Sequence, residues 1–416
     1  MKYVVLGASA AGLNGVRQLR KRCPDAQIVM VSRDEIIYSR CILHHYMGGL
    51  RTEEELCFAE PDFETVYSVD WKRGVDCVAV DEKEKTVTLS DGSVISYDKL
   101  LIATGSRTFL PPVKGLREAG GVFGFRNIDE VRQIMKAAEN AGHIVVMGGG
   151  LTGLDAAVGF LHRGLKVDLV EMADRLLVKQ LDHHSAAVYE KALEEKGVAL
   201  HLGCAIKEVR CDDSGRIDGL VLAGADGNCH EIPCDLLLVT AGVCSNVGFL
   251  EGTGIACDSF GLVIDEYGRT SDPDVYGAGD VTGRSPIWPA AVKQGMIAAD
   301  NMAGFDTRAE DFFASKSTMN FLEIPTMALG VPEKPDDSYT EVMECRDGLY
   351  RKVIHKDGRI CGAILQGDLS YGGVLAQLIA RKIDISRVRK PLFDIDYSDF
   401  FHTDENFEFY YEENLK

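Results

Sequence analysis

The sequence lacks several features that would each indicate a class of protein. No apolar run reaches the roughly 18 residues that a transmembrane helix needs, and no cluster of basic residues marks a nucleic-acid-binding face. The formal net charge of −19 over 416 residues also disfavours nucleic-acid binding. Met1-Lys2 leads directly into an apolar segment, without the pattern of a signal peptide. We therefore expect a cytoplasmic protein that binds neither nucleic acid nor a membrane.

A C-x-x-C pair is also absent, although the chain has 12 cysteines. Neither a thioredoxin-like dithiol nor a ferredoxin-type cluster is therefore encoded. Cys229 and Cys234 form one C-x₄-C pair, but no further ligands accompany them, so no metal site is predicted. Many scattered thiols are typical of a reducing compartment.

A glycine-rich loop follows the first apolar segment, residues 3–6, and precedes a predicted helix over 13–22. It reads Gly7-x-Ser9-Ala10-x-Gly12. In such a loop the first glycine permits the turn, a small residue lets backbone N–H groups approach a pyrophosphate, and the last glycine brings the helix close to the strand. Phosphates then lie at the positive end of the helix. The segment predicts a dinucleotide site.

The chain repeats this arrangement once. Residues 144–147 precede Gly148-Gly149-Gly150-Leu151-Thr152-Gly153 and a predicted helix over 154–163. The next strand, 166–170, ends at Glu171, where the ribose-binding acid belongs. A carboxylate repels a 2′-phosphate, so NAD is favoured, while nearby Arg175 leaves NADP open. In the first unit the equivalent position is Ser32, and we favour the following Asp34 as the ribose ligand.

These patterns predict an α/β protein with two Rossmann-like dinucleotide-binding domains and a C-terminal α+β domain. The first domain comprises residues 1–112 and 241–313, with a β-rich insert over 69–100 containing strands 75–80 and 86–89. Residues 113–240 form the second domain. The chain returns to the first domain through strands 262–265 and 274–280 and a helix from Trp288 to Gly304. The third domain, 314–416, shows no glycine loop or titratable cluster, so we expect it to form a dimer interface or shape the substrate site.

A segment rich in reactive side chains follows the second strand. It contains Arg40, Cys41, His44 and His45. A cysteine beside an arginine and two histidines has the surroundings that lower a thiol pKa, which indicates a redox role. The alternative is a small cysteine that packs at a helix start.

In their order, the motifs resemble those of the FAD- and NAD(P)-dependent pyridine nucleotide-disulfide oxidoreductases. The matching pieces are Gly7-x-Ser9-x-x-Gly12, Ala103-Thr104-Gly105, Gly148-x-Gly150-x-x-Gly153, Thr240-Ala241-Gly242 and Gly277-Ala278-Gly279-Asp280. The resemblance implies a homodimeric enzyme in which Gly7, Ser9, Gly12, Thr104, Gly105 and Asp280 contact FAD and Gly148, Gly150, Gly153 and Glu171 contact NAD(H). The predicted cofactor-binding set also includes Ala10, Asp34, Arg40, Ala103, Leu151, Thr152, Gly242, Gly279 and Trp288.

Two branches of this family share further features with the chain. Tyr38-Ser39-Arg40 and the tail 393–401 resemble the NADH:rubredoxin reductases, the nitrite-reductase flavin modules and the flavoproteins that accompany carbon monoxide dehydrogenase. This likeness implies electron transfer between NAD(H) and a small iron–sulfur protein, rubredoxin- or ferredoxin-like. Asp155 is expected to help position the nicotinamide.

Residues 41–49 resemble the redox-cysteine segment of coenzyme A disulfide reductases and NADH oxidases, which implies the alternative. Cys41 would then reduce a disulfide, a persulfide or oxygen, with His44 or His45 as proton donor. Ile42 stands where those enzymes usually have glycine, and Tyr-Ser-Asp-Phe-Phe replaces their Tyr-Ala-Pro-Pro-Phe. A redox-sensing flavoprotein without turnover is a third alternative.

Overall fold

The computed structural model describes residues 1–225, 227–284, 286–309, 316–346 and 348–411. It has the predicted α/β class, with two parallel sheets and a C-terminal antiparallel sheet. Within these residues no helix has the length and apolar character needed to cross a membrane.

The first parallel sheet carries the first glycine loop. Its strands, in spatial order, are Val275–Gly277, Lys99–Ile102, Lys2–Leu6, Gln27–Ser32 and Val69–Arg73. The central strand is buried on both faces, as its unbroken apolar sequence requires. Helices Ala10–Arg22 and Trp288–Met302 pack together, and Gly295 allows their close contact at Ala11.

The insert of this unit forms a separate antiparallel sheet from Cys77–Asp81, Thr86–Leu89 and Val94–Ser96. The prediction placed the whole of 69–100 in the insert. Val69–Arg73 instead pairs in parallel with Gln27–Ser32 and forms the edge of the main sheet.

The second parallel sheet carries the second glycine loop. Its strands, in order, are Ala199–Leu202, Val167–Glu171, Ile144–Met147, Leu236–Val239 and Val122–Gly124. Its helices are Ile128–Ala138, Leu151–His162 and His183–Glu195. A three-stranded antiparallel sheet covers it, formed by Cys204–Cys211, Ile217–Gly224 and Cys229–Pro233. The strand pair Ser106–Thr108 and Val243–Ser245 joins the two units.

The predicted strand over 262–265 is wrong, because only an isolated bridge between Cys257 and Leu262 forms there. The Asp265 carboxylate accepts hydrogen bonds from the backbone N–H groups of Tyr267 and Arg269, at 2.9 and 2.8 Å. This side chain stabilises a tight turn, which ends the extended segment.

The C-terminal sheet is antiparallel. Its strands, in order, are Lys316–Met319, Thr326–Gly330, Arg359–Gln366, Leu349–Lys356 and Thr340–Arg346. Helix Gly372–Ala380 packs on it, and the tail ends in the strand pair Phe401–Thr403 and Phe409–Tyr411. Phe393 and Phe400 of the aromatic tail are buried in this core.

Short helical turns complete the described residues. They are Arg40–Ile42, Leu43–Met47, Glu54–Leu56, Phe63–Tyr67, Gly248–Leu250, Gly279–Thr282, Phe321–Glu323, Leu392–Asp394 and Tyr397–Phe400.

One hydrophobic core crosses all three units. Leu43, Met47 and Leu56, which follow the second strand of the first sheet, pack with Leu154 and Phe160 of the second unit. Side chains from the C-terminal sheet belong to the same core: Met319, Ala328, Tyr350 and Ile364.

A buried ionic cluster lies where the C-terminal sheet meets the second unit. Lys352, only 3% exposed, contacts the carboxylates of Asp182 and Glu341 at 2.9 and 2.8 Å. Tyr350 donates to Asp182 at 2.6 Å. The expectation of no titratable cluster in the third domain is therefore wrong. Single charged residues in separate strands gave no local signal of the cluster.

Candidate active site

A cleft of about 580 Å³ opens where the strands of the first sheet end. In doubly wound folds this edge is where ligands bind. The volume is typical of a small-molecule site. The sequence-predicted residues that line it are Gly7, Ser9, Ala10, Asp34, Arg40, Cys41, Ala103, Thr104, Gly105, Gly279, Asp280 and Trp288.

The loop of the first unit fits a dinucleotide pyrophosphate. A Cβ at Gly12 would lie 1.9 Å from the Gly7 carbonyl oxygen, so this approach of helix to strand requires glycine. Ser9 caps helix Ala10–Arg22, and its side chain makes no hydrogen bond to the helix. The amides of the first turn are therefore not capped by that side chain, and an anion would satisfy them.

The loop of the second unit repeats this geometry outside the cleft. A Cβ at Gly153 would lie 1.8 Å from the Gly148 carbonyl oxygen. Gly150 caps helix Leu151–His162, which begins with Leu151 and Thr152, and no heavy atom lies within 4 Å of its ideal Cβ. That open space fits the close approach of a phosphate.

Glu171 stands at the end of its strand, as predicted. Its carboxylate accepts hydrogen bonds from the backbone N–H groups of Gly149 and Ala173, at 2.6 and 2.7 Å. These bonds fix the carboxylate beside the glycine loop. Gly242 lies further along, where its carbonyl accepts from the Phe109 N–H next to the strand pair that joins the units.

Arg126 is a cleft residue that the sequence did not reveal. Its guanidinium donates to the Ser106 hydroxyl at 2.8 Å and contacts the Asp280 carboxylate. Its Nε is buried and has no hydrogen-bond partner. An unpaired buried donor in a cleft wall fits a polar ligand group. Arg126 belongs to no glycine motif, and its only local signal is its place before Asn127, which caps helix Ile128–Ala138.

Asp34 and Arg40 form an ion pair at the cleft wall, and Tyr38 bonds to the same carboxylate. Arg40 contacts the Asp34 carboxylate at 2.6 Å, and the Tyr38 hydroxyl donates to the same carboxylate at 3.1 Å. Ser32, the alternative ribose ligand, donates to the Asp34 carbonyl at 2.6 Å and accepts from Trp71 at 2.9 Å. Both side chains thus already have partners, and Asp34 stays our prediction for the ribose ligand.

Cys41 faces the cleft, but the expected lowering of its thiol pKa is wrong. The Cys41 side chain is exposed in the cleft. Desolvation by the surrounding protein groups still raises the pKa of its thiol, and the nearby Asp155 carboxylate raises it further against the partial opposition of Arg126. The cations expected beside it are not available. Arg40 is paired with Asp34, and burial lowers the pKa of both His44, to about 3, and His45.

His44 and Asp155 meet across the two units. His44 Nδ1 lies 3.1 Å from Asp155 Oδ1, and the two side chains are 13% and 24% exposed. Burial raises the pKa of Asp155 well above its usual range. The His45 ring packs edge-on against His44, with centroids 4.2 Å apart. The sequence singled out these three residues but not their contact.

Among the residues that the structure describes, no group of three or more His, Cys, Asp or Glu side chains is placed to hold a metal ion. Cys229 is exposed and Cys234 is buried, so the C-x₄-C pair does not present its thiols together.

Comparison with known proteins places the chain in a family. The profile described as pyridine nucleotide-disulphide oxidoreductase matches residues 1–295, and the one described as rubredoxin NAD⁺ reductase C-terminal domain matches 316–383. An NADH oxidase from Methanocaldococcus jannaschii is 30% identical over 327 residues, 74% of this chain and 71% of that protein. The epsilon subunit of an NADH-dependent phenylglyoxylate dehydrogenase from Aromatoleum evansii is 28% identical over 93% of each chain.

Among solved structures, an NAD-dependent persulfide reductase from A. fulgidus superposes with a TM-score of 0.83 and 27% identity, over 92% of this chain and 77% of that one. Both glycine loops, the cleft and the C-terminal sheet thus occur in an arrangement known from solved enzymes. The chain belongs to the pyridine nucleotide-disulphide oxidoreductase family and is a flavoprotein oxidoreductase that works with FAD and a nicotinamide nucleotide.

Proposed function

We propose that this flavoprotein transfers electrons between NAD(H) and a small iron–sulfur protein of the rubredoxin or ferredoxin type. The match of residues 316–383 to the rubredoxin reductase C-terminal profile supports this. So does the likeness, over 93% of each chain, to the epsilon subunit of an NADH-dependent phenylglyoxylate dehydrogenase.

The observation that carries the proposal is the state of Cys41. A cysteine that exchanges electrons with a flavin reacts as a thiolate. Desolvation by the surrounding protein groups and the Asp155 carboxylate raise the pKa of Cys41, and Arg40 is paired with Asp34. These surroundings favour the neutral thiol, which supports the flavin as the redox centre.

The second unit favours NAD(H) over NADP(H). Arg175, the residue that left NADP open, is 7% exposed and points its guanidinium at Glu333 and the Leu181 carbonyl, at 2.8 and 3.2 Å. It is not free to bind a 2′-phosphate. Glu171 presents a carboxylate where that phosphate would lie.

The chain's own residues bind and orient the cofactors. Bound FAD supplies hydride acceptance and electron release, and this chemistry belongs to the cofactor. The helix start after Ser9 would hold its pyrophosphate, and Asp280, fixed by Arg126, would bond a ribityl hydroxyl. Trp288 begins the helix whose positive end faces the cleft.

A cysteine-based reductase is the second candidate. Cys41 lines the cleft, and its side chain is exposed there. The persulfide reductase from A. fulgidus supports this alternative. Under this alternative, Cys41 of the present chain would be reduced by the flavin, and His44 or His45 would supply a proton.

An anaerobic NADH titration of the purified holoenzyme separates the two. About two electrons per FAD support electron transfer through the flavin alone. About four, with a long-wavelength thiolate-to-flavin band midway, indicate the cysteine-based reductase. Cys41→Ser should retain partner reduction under the first proposal and lose turnover under the second. Slow NADH oxidation with every acceptor would indicate a redox sensor.

A further inference from the structure

We propose that Asp155 and His44 act together as the proton carrier of the flavin site. The proton that they carry is the one by which a hydride differs from the two electrons that one-electron acceptors take. This inference rests on the proposed NAD(H)–flavin chemistry but not on the identity of the electron acceptor.

The pair is held by the packing of two helices. His44 lies in Leu43–Met47, and Asp155 lies in Leu151–His162. A Cβ at Gly159 would come within 2.6 Å of the Met47 Cε and 3.1 Å of the His44 carbonyl oxygen, so glycine allows this close approach. Arg163 also donates to the Met47 carbonyl. The 3.1 Å contact is therefore fixed by backbone packing and not by two mobile side chains.

A single proton shared in the contact satisfies both groups. Burial disfavours charge on either group, raising the pKa of Asp155 and lowering that of His44. Whether the proton lies on the carboxyl oxygen or on Nδ1, the pair is neutral and its hydrogen bond is intact. It titrates as a unit. Loss of that proton would leave a half-buried carboxylate unpaired, and gain of another would leave a half-buried imidazolium.

The surroundings give the pair one side near the cleft and another near solvent. His44 lies three residues after Cys41, which lines the cleft together with Arg126 and Asp280. On another side the His44 ring packs against His45. His162, which is exposed, lies near both rings, and Arg51 lies near His45. The His45 side of the pair is therefore the side nearer to solvent.

The reaction stoichiometry gives such a group one proton to carry. A hydride carries two electrons and one proton, and two one-electron acceptors take only the electrons. The balance is NADH + 2 acceptor(oxidised) → NAD⁺ + H⁺ + 2 acceptor(reduced). In this direction the pair takes up the released proton as it gives its own proton to water by way of His45, so that it never stands without a proton. In the opposite direction it donates the proton that the flavin site needs. Disulfide reduction, NADH + H⁺ + RSSR → NAD⁺ + 2 RSH, likewise requires one proton.

Redox-difference infrared spectroscopy of the holoenzyme tests the inference. In this experiment dithionite would reduce the flavin and ferricyanide would reoxidise it. The result would then depend neither on nicotinamide positioning nor on partner docking. The wild type should show a protonated-carboxyl band that changes with redox state, and Asp155→Asn should lose it. Asp155→Asn should also slow single-turnover reoxidation by about a hundredfold and remove its solvent deuterium isotope effect.

Asp168→Asn is the matched control, because Asp168 forms a similar contact with His201 at 3.0 Å on the second sheet. It should behave as wild type. His44→Gln keeps a hydrogen-bonding side chain but no titratable ring, and should shift the band and slow reoxidation even if Asp155→Asn fails to bind FAD. A carboxyl band unchanged in both site variants, or reoxidation with wild-type rate and isotope effect, would overturn the inference. Those results would leave the electron count per FAD, and so the proposed function, untouched.

Discussion

Arg175 of the second unit is ion-paired with Glu333 of the C-terminal unit, at 2.8 Å and 158 positions along the chain. The contact removes the nearby cation that would recognise a 2′-phosphate. We therefore predict that nicotinamide selectivity depends on a residue from a different unit.

The selectivity of Glu171 should depend on this pair. We expect Glu171→Ala to lower kcat/KM for NADH about tenfold, because about 1.5 kcal/mol of charge-assisted hydrogen bonding is lost. NADPH should gain little, since Arg175 stays paired with Glu333. The double variant Glu171→Ala/Glu333→Ala should gain NADPH activity, measured as the ratio of the two kcat/KM values. Glu333→Ala alone is the control. A strong preference of the single Glu171 variant for NADPH would contradict this account.

Gly150 offers a substitution that separates binding from folding. Its φ is −82° and no heavy atom lies within 4 Å of its ideal Cβ, so Gly150→Ala should leave the thermal unfolding temperature unchanged. The added methyl would occupy the space of a pyrophosphate. We expect FAD content to be normal and NADH affinity to fall at least tenfold, about 1.4 kcal/mol, measured by flavin bleaching under anaerobic conditions. Normal NADH affinity would place the nucleotide elsewhere.

Arg126 should govern FAD retention. Arg126→Met keeps much of the side-chain length but leaves Asp280 without its cation, and hydrogen bonds to charged groups contribute about 1.5–3 kcal/mol. We expect the FAD dissociation constant to rise by roughly tenfold to a hundredfold, measured by recovery of flavin fluorescence. Arg107→Met is the matched control, because Arg107 lines the same cleft but is exposed and hydrogen-bonds the backbone carbonyl of Ser245. Equal FAD loss in both variants would deny Arg126 a specific role.

Asp182 should make stability depend on acid pH. Burial alone would raise the pKa of Asp182, but hydrogen bonds from Tyr350, Ser185 and Lys352 outweigh it and lower the pKa to about 2. Its contribution, about 2 kcal/mol, is therefore complete above the unfolded pKa near 4 and is lost as the pH falls towards 2.

Urea unfolding of wild type and Asp182→Asn at several pH values checks this prediction. The difference in unfolding free energy should be largest near neutral pH and should close between about pH 4 and pH 2. Asn keeps the helix cap, so capping loss does not dominate. A pH-independent difference would mean that the carboxylate charge has no part in the stability.

The parts of the fold that the sequence predicted are those with local signals. Both glycine loops specify a turn and a close helix–strand contact within six residues, and both formed as expected. Arg126 and Lys352 carry no such signal, because their partners Asp280 and Asp182 lie more than 150 residues away. Strand 262–265 was expected from its apolar residues, but only an isolated bridge forms there, and the turn that Asp265 stabilises follows directly.

The surroundings of Cys41 likewise could not be predicted from its neighbours in sequence. Neighbours in sequence, Arg40, His44 and His45, suggested a cationic environment. In the fold Arg40 turns to Asp34, and His44 meets Asp155 from the second unit. The pKa of Cys41 depends on these spatial neighbours, which sequence adjacency does not supply.

The hydrophobic core shared by the three units has a consequence for how the protein melts. Excision of the second unit would remove the apolar surroundings of Leu43, Met47 and Leu56. It would also remove the apolar surroundings of Tyr350 in the C-terminal unit. The units should therefore unfold in one cooperative transition, and a fragment confined to residues 113–240 should not be stable alone. The same continuity joins the parts of the chain that carry the two nucleotide loops, so we expect the distance between the two cofactors to be set when the chain folds.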